Sequence, residues 1–119
     1  MNYKVIKKYN KKYIECISLE KQISSEQDIL DIISICMEND VNIIIFYDNA
    51  FSESFFNLRT GLAGIMLQKF INYNIKLGIV LDEEKVKGRF KEMIIEANNG
   101  NQFRTFKSIE DAEIWISKL

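Results

Sequence analysis

The stretch VNIIIFY, Val41 to Tyr47, decides the fold because it is almost continuously apolar over the length of one strand. An unbroken apolar run of this length is typical of a central parallel strand that helices cover on both faces. Ile75 to Leu81 repeats the pattern and predicts a second buried strand. Because consecutive strands usually neighbour one another, we expect these two strands to be parallel, adjacent and central in the sheet.

The flanking segments complete an alternating order of strands and helices. Period-two alternation from Tyr3 to Tyr9, a turn at Asn10-Lys11 and a strand from Lys12 to Ile17 predict an N-terminal hairpin. A capping box at Ser24-x-x-Gln27 begins a helix that ends near Asn39-Asp40. The remaining periodicity predicts three more helices and one more strand: helices over 60–73, 88–98 and 108–119, and a strand over 102–106.

The resulting order, β-β-α-β-α-β-α-β-α, predicts an α/β fold with a mixed, mostly parallel sheet of about five strands. The first strand arrives by a hairpin and is therefore expected to be the antiparallel one. A length of 119 residues suits one domain, residues 1–119, with one core.

The composition limits the classes of function. A net charge of −1 disfavours a nucleic-acid binder, which normally carries a large basic face. The chain has no histidine, and this removes the usual general base and the commonest metal-ligand sets. We therefore expect no enzyme activity, no metal and no cofactor.

Cysteine usage and hydropathy indicate the compartment. Cys16 and Cys36 lie among apolar neighbours, which predicts buried thiols in a reducing compartment. Polar and basic residues fill the first segment, and no apolar run is long enough to span a bilayer. We expect a cytoplasmic protein without a signal peptide or membrane contact.

Two resemblances follow from these segments. TGLAGIMLQKFINYNIKLGIV (Thr60 to Val80), GRFKEMIIEANNGNQFRTFKSIEDAEIWI (Gly88 to Ile116) and SSEQDILDII (Ser24 to Ile33) resemble the bacterial domain of unknown function 4180 family. The element order is also similar to that of STAS-like domains, the fold of bacterial anti-sigma-factor antagonists. The STAS resemblance implies a regulatory protein-binding module, and a phosphorylated serine after the third strand. The nearest serines are Ser52 and Ser54, and Ser52 is the candidate phosphosite; YDNAFSESFFNLRTG stands where those antagonists have a short loop.

A ligand site, if the chain has one, is expected at the carboxyl ends of the parallel strands, where open α/β sheets bind ligands. Residues in the two loops at this edge form the candidate anion-binding set: Asp48, Arg59, Thr60, Gly61 and Arg89. Helix N-termini and guanidinium groups together bind carboxylates or phosphates. The structural alternative is that Thr60 is only an N-cap, that Asp48 only forms a turn, and that the arginines are solvated.

An aromatic segment between the third strand and the following helix forms the candidate interface: Phe51, Phe55, Phe56 and Leu58. So much aromatic area suggests that the segment covers a pocket, completes the core or meets a partner. The next helix has a narrow polar stripe, which favours burial by a second protomer and predicts a homodimer.

These observations favour a non-enzymatic protein-interaction or regulatory module with a protein partner. The rival hypothesis is a small-ligand protein that binds a carboxylate or phosphate at the carboxyl edge.

Overall fold

A five-stranded mixed sheet organises the part of the chain that the computed structural model describes, residues 1–82, 91–92 and 100–119. The strands lie in the order β1-β2-β3-β4-β5. Their bounds are β1 (Asn2–Lys8), β2 (Lys11–Ser18), β3 (Ile43–Tyr47), β4 (Lys76–Val80) and β5 (Phe103–Phe106). The pair β1–β2 is antiparallel and every other pair is parallel. The predicted mixed α/β fold with an antiparallel N-terminal hairpin is confirmed.

The apolar run that decided the fold forms the middle of this sheet. β3 is buried from Ile43 to Phe46, and its register with β4 runs from Ile43↔Lys76 to Tyr47↔Val80. β3 and β4 are therefore parallel, adjacent and flanked by other strands, as predicted. Both are shorter than their apolar runs, since Val41 and Leu81 are buried beyond the strand ends.

The hairpin turn is displaced by one residue from its prediction. Tyr9 and Asn10 occupy the turn with φ of 56° and 59°, and Lys8 pairs with Lys11 across it. Two positive φ values in a two-residue loop define the type I′ turn, whose twist matches that of the flanking strands. The prediction at Asn10-Lys11 was wrong because a tyrosine gives little sequence signal for this backbone conformation.

Three α-helices are described in full: α1 (Glu26–Glu38), α2 (Leu62–Asn72) and α3 (Ile109–Ser117). The capping box of α1 uses Ser25 and Asp28 instead of the predicted Ser24 and Gln27. The Asp28 carboxylate accepts hydrogen bonds from the amides of Ser24 (2.9 Å) and Ser25 (3.1 Å), and a charged acceptor forms stronger hydrogen bonds with backbone N–H groups than a neutral glutamine would. The predicted Ser108 cap of α3 is confirmed, since its Oγ accepts from the Asp111 amide at 3.2 Å.

The predicted helix over 88–98 lies outside the described residues, except for Lys91 and Glu92, which are helical. In the described part of the chain, no helix is long and apolar enough to cross a membrane.

Hydrophobic clusters cover both faces of the sheet. α1 and α2 pack on one face over a large cluster, and α3 packs on the other over Tyr13, Ile43 and Ile45. Gly78 in β4 lies beneath α3, where an added Cβ would meet Ile45 Cδ1 at 2.5 Å and Phe106 Cε2 at 3.2 Å. The close approach of these side chains explains a glycine inside a buried strand.

Candidate functional site

An open depression of about 450 Å³ lies at the carboxyl edge of the sheet, where the sequence predicts a ligand site. Strands β3, β4 and β5 end around it, and the residues that follow them supply its polar groups. Its described lining residues are Tyr47, Asp48, Val80, Leu81, Asp82 and Lys107.

Asp48 joins the ends of the two central strands. It opens a 3₁₀ turn, Asp48–Ala50, and its Oδ2 accepts a hydrogen bond from the Asp82 amide at 3.1 Å. This contact agrees with the structural alternative, in which the aspartate organises a turn. The described lining residues of the depression therefore contribute two carboxylates and one ammonium group, from Asp48, Asp82 and Lys107.

Tyr47 makes a further polar contact at this edge. Its hydroxyl donates to Glu15 Oε2 at 2.5 Å. Burial raises the pKa of Tyr47, and the hydrogen bond to Glu15 and the charge of that carboxylate raise the pKa further. Because the phenol stays protonated, this group acts as a hydrogen-bond donor and gives the site no base.

Arg59, Thr60 and Gly61 are not among the described residues that line the depression. Arg59 and Thr60 belong to a 3₁₀ turn, Leu58–Thr60, and both are exposed, while Arg89 lies outside the described residues. The helix N-cap is Gly61, with φ of +72°, so the prediction of Thr60 as the N-cap was wrong. Thr60 Oγ1 lies instead 2.7 Å from the Ser54 carbonyl and 2.9 Å from the Asn57 carbonyl, and it closes the turn before the helix.

The aromatic segment completes the core. Phe51 and Phe55 are 3% and 2% exposed, with ring centroids 4.3 Å apart, and Phe51 packs edge-on against Phe46 at 5.4 Å. Phe51 also forms a parallel bridge with Ile23, which ties the segment to the chain just before α1. The prediction that these two rings form an interface was wrong, because they are buried inside one chain. The side chains of Phe56 and Leu58 lie outside the described set.

The candidate phosphosite is engaged in hydrogen bonds. Ser52 is half-buried, and its Oγ donates to the Ile23 carbonyl at 3.1 Å and lies 2.7 Å from Ser54 Oγ. It precedes the 3₁₀ turn Glu53–Phe56 and not an α-helix.

A second depression, of about 360 Å³, lies at the opposite edge of the sheet between the ends of α1 and α2. Met37 and Tyr73 line it and are 63% and 50% exposed. Cys36 lines its floor, and burial raises the pKa of this thiol to about 12. The thiol is therefore protonated and unreactive at neutral pH.

Sequence reasoning missed a basic surface on the N-terminal hairpin. Five lysines and no acidic residue occur in the first 14 residues: Lys4, Lys7, Lys8, Lys11 and Lys12. β1 is an edge strand whose described pairing is with β2 alone. The signal was present as KVIKKYNKK, but only the sheet order shows that this segment is an edge.

Among residues 1–82, 91–92 and 100–119, no three or more histidine, cysteine, aspartate or glutamate side chains are grouped so that they could hold a metal ion. Cys16 and Cys36 are both free and buried, as predicted.

Comparison with protein families gives one match. The family described as "Domain of unknown function (DUF4180)" matches residues 8–116, which confirms the resemblance seen in the sequence. Comparison with curated proteins and with solved structures gives no match.

Proposed function

We propose that this chain, which belongs to the domain of unknown function 4180 family, is a non-enzymatic protein-interaction module that binds its partner by strand addition at β1. The observation that carries the proposal is the edge position of β1, a seven-residue strand with one described neighbour. Exposed edge strands present unpaired backbone groups to a further strand, and several peptide-recognition domains bind in this way.

The hairpin register identifies the backbone groups available to a partner. Lys8 and Lys11 close the two-residue turn and form the first hydrogen-bonded pair. Hydrogen-bonded and non-hydrogen-bonded pairs alternate along an antiparallel ladder, so Lys7, Val5 and Tyr3 direct their N–H and C=O groups away from β2. These three residues form the docking edge of the module.

A proline substitution in the docking edge tests the proposal. Val5→Pro removes an outward N–H without removing a hydrogen bond of the β1–β2 ladder, and edge strands tolerate proline at such positions. Val5→Ala is the matched control, because it shortens the side chain and keeps the N–H. We expect peptides selected from a random display library to bind the wild type and Val5→Ala but not Val5→Pro.

Amide hydrogen exchange supplies the second measurement for this experiment. Bound peptide should slow exchange at Tyr3, Val5 and Lys7, because their amides become hydrogen-bonded. Peptides that bind Val5→Pro as tightly as the wild type would contradict strand addition, and so would a library that yields no binder.

The rival function is small-ligand binding at the carboxyl-edge depression. Lys107 supports this function, because it is the cationic side chain among the described lining residues. A carboxylate or phosphate would contact Lys107, whereas Arg59 lies elsewhere on the turn before α2. We test it by thermal shift with phosphate and with acetate, using Lys107→Gln and, as a control, the exposed Lys118→Gln. A ligand at 100 times its Kd should stabilise the wild type by about 2.7 kcal/mol and leave Lys107→Gln unaffected.

The setting of the module is part of the proposal. Two free, buried cysteines suit a reducing bacterial cytoplasm. An antiparallel hairpin followed by parallel strands in chain order supports a STAS-like arrangement. A homodimer stays a prediction, although two of the rings that suggested it, Phe51 and Phe55, lie in the core. Light scattering at high micromolar concentration tests it.

A further inference from the structure

We propose that the segment that adds to β1 is acidic: an extended peptide with carboxylate side chains opposite the lysines of the hairpin. This inference rests on the proposed strand addition and names its partner class. It follows from charge, cross-strand register and exposure on the same surface.

The charge of the chain is strongly polarised. The hairpin up to Ile14 carries five lysines and no acidic residue, although the whole chain has a net charge of −1. The remainder is therefore net acidic, and the positive potential is concentrated beside the docking edge. Complementary charge steers partners to such a surface and suppresses partners of the same sign.

The register places lysines directly opposite one another within the hairpin. Lys7 pairs with Lys12 and Lys8 pairs with Lys11, whereas Lys4 pairs with Glu15. Like charges directly opposite across a ladder are destabilising. The pair Lys7–Lys12 therefore carries a local electrostatic cost that an anionic partner would relieve.

Several of these lysines have partners within the chain. Lys8 forms an ion pair with Glu113, and Lys12 donates to the Asn39 carbonyl at 2.6 Å. Lys11 donates to the carbonyl of Leu119. Lys4 and Lys7 are exposed, and neither forms an ion pair within the described residues. Because Lys4 lies opposite Glu15 in the register, Lys7 is the first contact available to an incoming carboxylate.

The two faces of β1 determine where a partner needs acidic residues. Tyr3 packs against the cluster under α1 and α2, and Ile6 packs against the cluster under α3. Alternation places Val5 and Lys7 on the face of Tyr3, and Lys4 and Lys8 on the face of Ile6. Glu15 lies opposite Lys4 and Glu113 pairs with Lys8, so the face of Ile6 already has carboxylates beside its lysines. A strand with alternating acidic and apolar residues would therefore set carboxylates against Lys7 and apolar side chains against Ile6.

Other occupants fit this edge less well. A second copy pairing through its own β1 would bring two lysine-rich strands together, which like-charge repulsion disfavours. A nucleic acid would satisfy the lysines but would not complete the backbone ladder at Tyr3, Val5 and Lys7.

Fluorescence anisotropy with designed peptides tests the inference on the full chain. The probes are fluorescein-labelled peptides of about eight residues that alternate glutamate and valine, and an isosteric twin that alternates glutamine and valine. We expect the glutamate peptide to bind about three- to tenfold tighter at low salt, as a few exposed ion pairs allow. This preference should fall with added salt, and it should be lost in the Lys7→Gln variant. The matched control is Lys4→Gln, which removes an exposed lysine on the other face of β1, opposite Glu15, and should keep the preference.

The outcomes separate the partner class from the proposed function. If both peptides bind the wild type equally and Val5→Pro binds neither, strand addition stands and the acidic preference is overturned. If neither peptide binds, strand addition itself fails. Glutamate-peptide binding that survives in Val5→Pro would overturn a backbone-paired complex. Self-association abolished by Val5→Pro would assign the edge to a second copy, and displacement of the peptide by a single-stranded oligonucleotide at lower concentration would assign it to nucleic acid.

Discussion

Replacing Phe55 by alanine should destabilise the chain strongly, although the sequence alone also suggested a surface role for this ring. The ring is 2% exposed and lies 4.3 Å from the centroid of Phe51, which itself packs against Phe46. Removing a buried phenylalanine forfeits about 1.5–3 kcal/mol of transfer free energy. The residual cavity and the lost ring pairing raise the expected loss to about 3–5 kcal/mol.

This loss is large against the free energy of unfolding of a small domain, about 5–15 kcal/mol. Urea denaturation measures it through the midpoint at an unchanged m-value, and the thermal midpoint should fall by about 10–20 °C. Ile114→Ala is the control, since that side chain is 52% exposed and its loss should change stability by less than about 0.5 kcal/mol. A loss below about 1 kcal/mol for Phe55→Ala would refute the placement of this ring in the core.

Three further changes test the packing, the helix cap and the thiols. Gly78→Ala should cost about 1–2 kcal/mol in urea unfolding, because its Cβ would overlap the side chain of Ile45; unchanged stability would contradict this packing. Hydrogen bonds from the amide of Ser24 and from Ser25 lower the pKa of Asp28 in the folded chain. The ionised carboxylate therefore stabilises the folded state fully above the unfolded pKa of about 3.9, and this stabilisation is lost as pH falls through the lower pKa of the folded state. Asp28→Asn should therefore flatten the stability profile between about pH 5 and 3, and an unaltered slope would exclude this cap as its source. Burial raises the pKa of Cys16 to about 11 and that of Cys36 to about 12, so alkylation of either thiol at pH 8 should be slower by a factor of about 100 or more in the native than in the unfolded chain; equal rates would show that the thiols are accessible.

The sheet was predictable because its signals are local and strong. The apolar runs at β3 and β4 are long, uninterrupted and separated by one helix, so the right pairing follows from general rules of chain connection. The caps were predictable only to within a residue. Ser24 precedes Gln27 by three positions, and Ser25 precedes Asp28 by three positions, so both pairs fit a capping box. Which pair forms it depends on which side chain reaches the backbone amides before the helix, and Asp28 reaches two of them.

The segment between β3 and α2 was not predictable, because its structure depends on contacts distant in sequence. Phe51 forms its bridge with Ile23, 28 positions earlier, and no periodic pattern of apolar residues predicts a contact at that distance in sequence. The aromatic residues thus correctly indicated a large buried area, but they did not indicate which part of the molecule covers it. The bridge also helps to explain why Phe51 does not form an interface: Ile23 of the same chain pairs with it.

The residues predicted to bind an anion follow adjacent strands, but they do not all lie close together in the structure. Adjacent strands brought Asp48 and Asp82 into contact, because both residues lie at strand ends. Arg59 lies eleven positions beyond Asp48, after successive 3₁₀ turns that turn the chain before α2 begins. The described carboxyl edge therefore has carboxylates beside Lys107, whereas Lys7 on β1 lies opposite Lys12 and forms no ion pair within the described residues. An anionic partner gains more from the second arrangement, since no carboxylate lies opposite Lys7, and for this reason we assign recognition to the docking edge and keep the depression as the rival.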